Sequence, residues 1–197
     1  MGRSGEPPAT DADTTLVARF TELLGRTQWA LYDFIRGLVG EPELARDLTQ
    51  DTFVDGWRIA KRAAPPFVDL TDEAGMRRWL FTVAYRHAAM ALRRRRVLSW
   101  EPLDEGKFPA GDIQTAPVSF EDQIAEAEVL RAALLSVSPE DAACFLLQAG
   151  QGLSTMEIAA ILEIAPDAVR KRLSRAKQRL RAAYTAQQRS AWERTHP

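Results

Sequence analysis

The sequence predicts an all-α protein of two small helical domains joined by a flexible linker, with a helix-turn-helix in the C-terminal domain. Three observations point there. Long segments place apolar residues three and four apart, which is the spacing of one helix face. No alternating apolar and polar run of strand length occurs. Glycine and proline gather in a few places and leave uninterrupted helical stretches between them.

The opening residues, MGRSGEPPATDAD, read as a flexible tail over 1–13. From about Thr14 a first helix carries Leu16, Phe20, Leu23, Leu24, Leu31, Phe34, Ile35 and Leu38 at helical spacing, and Gly40 and Pro42 punctuate its end. Pro42 suits the first turn of a second helix, where a missing N–H costs nothing. Leu44, Leu48, Val54 and Trp57 form that helix's apolar stripe, and Pro65-Pro66 stops it. AAPPFVDLTDEAG then reads as a loop, and a third helix opens at Met76 and runs without a breaker to about Leu98. These elements make up a first domain over 14–98. Pro102, Gly106, Pro109, Gly111 and Pro117 predict a linker over 99–119, and a second domain follows over 120–186.

Within that domain Ser138-Pro139 supplies an N-cap and a first-turn proline, and Gly150 and Gly152 close the helix. Ser154 and Glu157 have the spacing of a capping box, in which each side chain satisfies the other's exposed amide. That box opens a short helix ending at Leu162. After the tight connection Glu163-Ile-Ala-Pro166, a last helix carries Val169, Leu173, Ala176 and Leu180 on one face. Residues 187–197 read as a tail.

With 197 residues, 46% hydrophobic and 27% charged, the composition is that of a folded soluble chain. It contains no apolar run long enough to span a membrane, and the N-terminus lacks the apolar core of a signal peptide, so the expectation is a cytoplasmic protein without membrane insertion. Cys144 is the only cysteine, and its neighbours in ACFLL predict a buried thiol. His87 and His196 form no metal site and are assigned no chemistry. No P-loop, dinucleotide fingerprint or nucleophile–base set occurs, so neither a cofactor nor an enzymatic activity is expected.

The net charge of −1 conceals a sorted distribution. MRRWLFTVAYRHAAMALRRRR and VRKRLSRAKQRLR are basic, while SWEPLDEGKFPAGDIQTAPVSFEDQIAEAE is acidic with Lys107 as its one base. A short capped helix, a tight turn and a longer helix form the helix-turn-helix layout that sets its second helix into a DNA major groove. That second helix carries Arg170, Lys171, Arg172, Arg175, Lys177, Arg179 and Arg181, donors suited to phosphates and guanine edges. Arg93 to Arg96 point in four directions about 100° apart. They suit sequence-independent phosphate contact rather than base reading.

Three segments in order, GEPELARDLTQDTFVDGW, RRWLFTVAYRHAAMALRRRR and SVSPEDAACFLLQAGQGLSTMEIAAILEIAPDAVRKRLSRAKQRLR, resemble the extracytoplasmic-function sigma factors of the sigma-70 class. The resemblance covers nearly the whole chain. It implies a subunit that binds core RNA polymerase through its β′ and β subunits, recognises the −35 and −10 promoter elements and promotes promoter opening. It also implies control by an anti-sigma factor. The alternative is a stand-alone helix-turn-helix regulator that binds duplex DNA without polymerase.

By this resemblance Asp47, Leu48, Gln50, Asp51, Phe53 and Trp57 lie in the segment that packs on the β′ coiled coil. Leu48, Phe53 and Trp57 suit a core equally well, so Asp47, Gln50 and Asp51 are the better interface candidates. Contact with the −10 element falls to Asp69 and Thr71 of the loop and to Arg78, Trp79, Tyr85, Arg86, Arg93 and Arg94 of the third helix. Strand opening needs aromatic groups to replace base stacking and cations to hold the backbone. The −35 contact falls to Ser154, Asp167, Arg170, Lys171, Arg172, Arg175 and Lys177. The acidic linker would thread the polymerase's basic channels. The chain departs from the family pattern at Arg86 and Met90, where Asn and Asp are usual. It departs again at Glu163 and Ala165, where a turn Gly and a capping Ser or Thr are usual.

Overall fold

The computed structural model describes residues 11–62, 72–98 and 130–195. Among them every regular element is helical: α1 (Asp11–Val39), α2 (Pro42–Arg62), α3 (Glu73–Leu98), α4 (Pro139–Ala149), α5 (Thr155–Leu162) and α6 (Pro166–Thr195). Residues 130–135 are also helical and lead through a turn to Ser138, the N-cap of α4.

Helices α1, α2 and α3 pack pairwise into a bundle. Phe34 of α1 meets Phe81 of α3 edge-on, with ring centroids 5.4 Å apart, and both are buried beside Leu31, Ile35 and Leu80. Gly56 lets α2 approach closely, because a Cβ there would lie 3.0 Å from Leu80 Cδ2 and 3.3 Å from the Phe20 ring. The buried hydroxyls of Thr27, Thr49 and Thr52 donate to the carbonyls of Leu23, Ala45 and Leu48, so none is left unpaired in the core.

Helix α6 packs along α4 and α5 with Val169, Leu173, Ala176 and Leu180 buried, the face that the sequence periodicity predicts. The two groups of helices also touch each other, α1 against α4 and α3 against α5, and their buried residues join in one continuous apolar core. Cys144 lies within it. Burial pushes its thiol up to about 11, so at neutral pH it behaves as a small apolar side chain.

Three boundaries differ from the sequence expectation. Helix α1 starts at Asp11, inside the segment read as a tail. Helix α3 starts at Glu73 rather than Met76: the Met76 N–H donates to the Asp72 carbonyl, Glu73 favours the positive helix end, and Arg26 ties Glu73 to α1 at 3.0 Å. Helix α6 continues to Thr195, through the segment read as a C-terminal tail. Nothing between Pro166 and Pro197 breaks a helix; the apolar stripe stops near Leu180, and its end suggested the shorter helix. The linker over 99–119 lies outside the described residues.

Candidate nucleic-acid and partner interfaces

On α2 the sequence-selected residues divide into two sets. Leu48 is buried, Phe53 is partly buried against the core, and Trp57 stacks at a tilt on Phe20 with centroids 5.3 Å apart while Lys61 Nζ sits 5.5 Å over its ring. These three hold the helix in place. Asp47, Gln50 and Asp51 are exposed, and Val54 and Arg58 lie exposed one turn further on. The polar members therefore form an outward acidic and amide face anchored by aromatic bulk beneath it.

Asp69 and Thr71 lie outside the described residues. The remaining residues assigned to α3 are described, and most are already occupied. Trp79 is half-buried against the core, close to Gly56, and so braces α2. The Arg78 guanidinium donates to Glu157 Oε1 at 3.1 Å and lies 3.6 Å from Asp72. Arg86 donates to Glu163. Tyr85 is partly buried, and its phenol is pushed up by that burial, with Glu140 and then Arg172 and Cys144 as the charged and polar neighbours. Glu157, Glu163, Glu140 and Arg172 all belong to the C-terminal group of helices. Arg93 and Arg94, at the far end of α3, are exposed, and the next residue, Arg95, pairs with Glu41 just before α2.

In the C-terminal group the helix-turn-helix forms as the sequence predicts. Ser154 caps α5: its hydroxyl accepts from the Glu157 N–H at 3.3 Å, while Glu157 Oε2 accepts from the Ser154 N–H at 2.9 Å and hydroxyl at 2.8 Å. Those bonds and Arg78 hold the Glu157 carboxyl below the usual range, the Ser154 backbone being the largest cause. In the turn Glu163 takes the left-handed conformation, φ 56°, where a glycine is commonly found. The Ile164 N–H donates to the Ala159 carbonyl and closes the helix end. Ala165 offers no capping side chain, and its carbonyl accepts the first α6 bond from Val169 N–H at 3.2 Å.

The basic residues of α6 do not act alike. Arg170 pairs with Asp167 at the exposed N-terminus, and Lys171 and Lys177 are exposed. Arg175 stays half-exposed while it bonds Asp141 of α4 with Nε at 3.2 Å and Nη2 at 3.0 Å. Arg172 lies 3.6 Å from the same carboxylate and 4.0 Å from Glu140. The Asp141 side chain is only 2% exposed, and its bond holds the Arg175 guanidinium above its ordinary value. A buried carboxylate held in a two-pronged grip ties α4 to α6.

Sequence reasoning passed over Asp141, Gln151 and the outward role of Glu157. Asp141 could have been flagged as an acid set in the apolar run SPEDAACFLL, but its partners lie 31 and 34 positions away, beyond the reach of any periodicity. Among the described residues no group of His, Cys, Asp and Glu is arranged to hold a metal ion, and no helix is long and apolar enough to cross a membrane.

Comparison with known proteins agrees with the layout. The family described as Sigma-70, region 4 matches residues 127–180, the segment containing the helix-turn-helix. The ECF RNA polymerase sigma factor SigE of Mycolicibacterium smegmatis is 31% identical over 185 residues, covering 90% of this chain and 68% of that protein. Two solved structures share the fold. One is the sigma factor RpoE in complex with the anti-sigma factor NepR from Bartonella quintana, with a TM-score of 0.60 and 23% identity over 84% of this chain and 96% of that one. The other is CnrH in complex with the cytosolic domain of CnrY, with a TM-score of 0.57 and 24% identity over 89% of this chain and 99% of that one.

Proposed function

The chain belongs to the extracytoplasmic-function sigma factors of the sigma-70 class, and from that premise we propose how its surfaces divide the work of binding core RNA polymerase and promoter DNA. The exposed face of α2, Asp47, Gln50 and Asp51, docks on the polymerase β′ subunit, with Leu48, Phe53 and Trp57 holding that face rigid from below. Asp69 and Thr71 read an extruded base of the −10 element. Arg78, Tyr85 and Arg86 contact the opened strand, Trp79 supports them, and Arg93 and Arg94 hold phosphates at the end of α3.

The −35 element is bound by the exposed front of α6, Arg170 and Lys171, with Lys177 further along and with Ser154 and Asp167 at the two helix N-termini. Arg172 and Arg175 act by orienting that helix. The chain works in the cytoplasm as a binding subunit without a catalytic centre, and an anti-sigma factor is its natural antagonist. The observation that carries this reading is the likeness to SigE, which spans both helical groups rather than the helix-turn-helix alone. A stand-alone regulator would share only the latter.

The test is reconstitution. Added to core polymerase, the protein should form a stable complex and initiate from a promoter that core alone ignores. Failure to bind core would overturn the reading.

A further inference from the structure

Between Pro166 and Arg181, α6 carries seven basic side chains and a single acid, Asp167. Asp167, Arg170, Lys171 and Ser174 fall on one strip of the helix about 100° wide, and all four are exposed. Val169, Leu173, Ala176 and Leu180 are buried on the other side, and Arg172 and Arg175 are drawn toward Asp141. The strip is what α6 offers to a DNA groove, and its one carboxylate stands near the middle of it.

That placement works against simple DNA affinity. A carboxylate repels phosphate oxygens, so Asp167 weakens sequence-independent binding. Nor does it hold the fold together through Arg170: the two side chains are 75% and 63% exposed, and an exposed ion pair contributes little to stability. What the pair changes is the arginine. Arg170 Nη2 donates to Asp167 Oδ1, which restrains a long side chain and leaves the other N–H groups of a planar fork to a ligand. In the major groove guanine alone presents two acceptors, O6 and N7, that such a fork can take together. The neighbouring carboxylate meanwhile disfavours a phosphate at the same place. Lys171, beside it on the strip, is a rotatable point charge with no such geometry.

We propose that Asp167 is a positioning residue, which turns Arg170 from a phosphate contact into a reader of guanine in the −35 element. Placing α6 on that element rests on the proposed function. Asp167 in the first turn also favours the positive end of the helix, an effect that does not pass through Arg170 and that the test must separate.

The complex of the full chain with core polymerase is offered a random-sequence duplex DNA pool, and the bound fraction is sequenced. Affinity for the unselected pool is followed against salt. The parent should prefer guanine over adenine by about tenfold or more at one position, as a bidentate contact does, and Arg170→Ala should abolish that preference. Asp167→Ala should lose most of it as well. The same variant should bind the unselected pool more tightly and steepen the slope of log K against log salt by about 1, because the released guanidinium takes a phosphate. Asp167→Ala with Ala165→Ser supplies a capping hydroxyl at the residue whose carbonyl accepts the first α6 bond. This double variant should keep the low guanine preference of Asp167→Ala.

The proposal is overturned if Asp167→Ala retains the parent's preference, if the added serine restores it, or if the salt slope stays constant. A parent that shows no guanine preference dependent on Arg170 overturns it too. The same selection with the full chain alone keeps the two readings apart: if the chain binds no core polymerase, the sigma-factor reading fails, and these same outcomes still decide the role of Asp167.

Discussion

Helices α3 and α6 are both rich in arginine, but the two sets of guanidinium groups meet different fates. Those in the middle of α3 are paired with acids and an amide of the other helical group, Arg86 while remaining exposed, and its far end presents Arg93 and Arg94 outward. In α6 most of the basic residues stay exposed. Arg170, Lys171 and Lys177 are exposed, while Arg172 and the half-exposed Arg175 share one buried carboxylate. A run of basic residues thus does not by itself mark a nucleic-acid surface. What each arginine does is set by whether an acid from another element lies within its reach.

The sharpest way to break this comparison is at Asp141. Asp141→Ala removes the buried carboxylate, and the fold should lose about 2 kcal/mol, read by chemical denaturation. Arg175→Ala should also destabilise, because Asp141 would then rely on Arg172 at 3.6 Å, whereas Arg170→Ala should leave the midpoint unchanged and weaken only duplex DNA binding. Equal stability of the two arginine variants would return Arg175 to the DNA-reading set.

Next in size is the acidic face of α2. Asp51→Arg should weaken core polymerase binding at least about tenfold through a like-charge clash or lost pairing, with circular dichroism unchanged. Undiminished affinity would remove Asp51 from the interface.

A smaller effect is expected at the free end of α3. Arg93→Gln with Arg94→Gln should weaken all promoters alike and lower the slope of log K against log salt by about 1 to 1.5, the share of two phosphates on a single strand. A change in promoter preference would mean that these residues read sequence.

The smallest effect concerns pH. The Glu157 carboxyl is depressed in the folded protein, so its contribution to stability is fully present above the ordinary glutamate value of about 4.3 and is lost as pH falls through its lowered folded value. Thermal midpoints of the parent and Glu157→Gln should converge as the solution is acidified through that window. A constant gap would show that Glu157 does not titrate with folding.

Much of this was legible from the chain alone. The apolar periodicities located α1, α2 and α6, and Ser138-Pro139, Gly150 and the Ser154–Glu157 box set the ends of α4 and the start of α5, because capping is a local bargain between neighbours in sequence. The segment Asp47 to Trp57 was separable into buried and outward members on residue type, and the structure places Leu48 inward and Asp47, Gln50 and Asp51 outward. Less was legible where a residue type serves two ends. Tyr85, Arg78 and Arg86 look alike whether they face DNA or another helix, and the turn glycine usual at Glu163 hinted at the left-handed conformation but not at the pairing of its carboxylate with Arg86.

The sequence by itself determined the helices, their caps and the family, since these follow from spacings of three to five residues and from the order of motifs along the chain. Only the tertiary structure decided which basic groups are free and which are held: that choice depends on acids 30 to 80 positions distant, Asp141 for Arg175, Glu157 for Arg78 and Glu163 for Arg86. An ion pair needs its partners within about 4 Å in space, and separation along the chain does not disclose that distance.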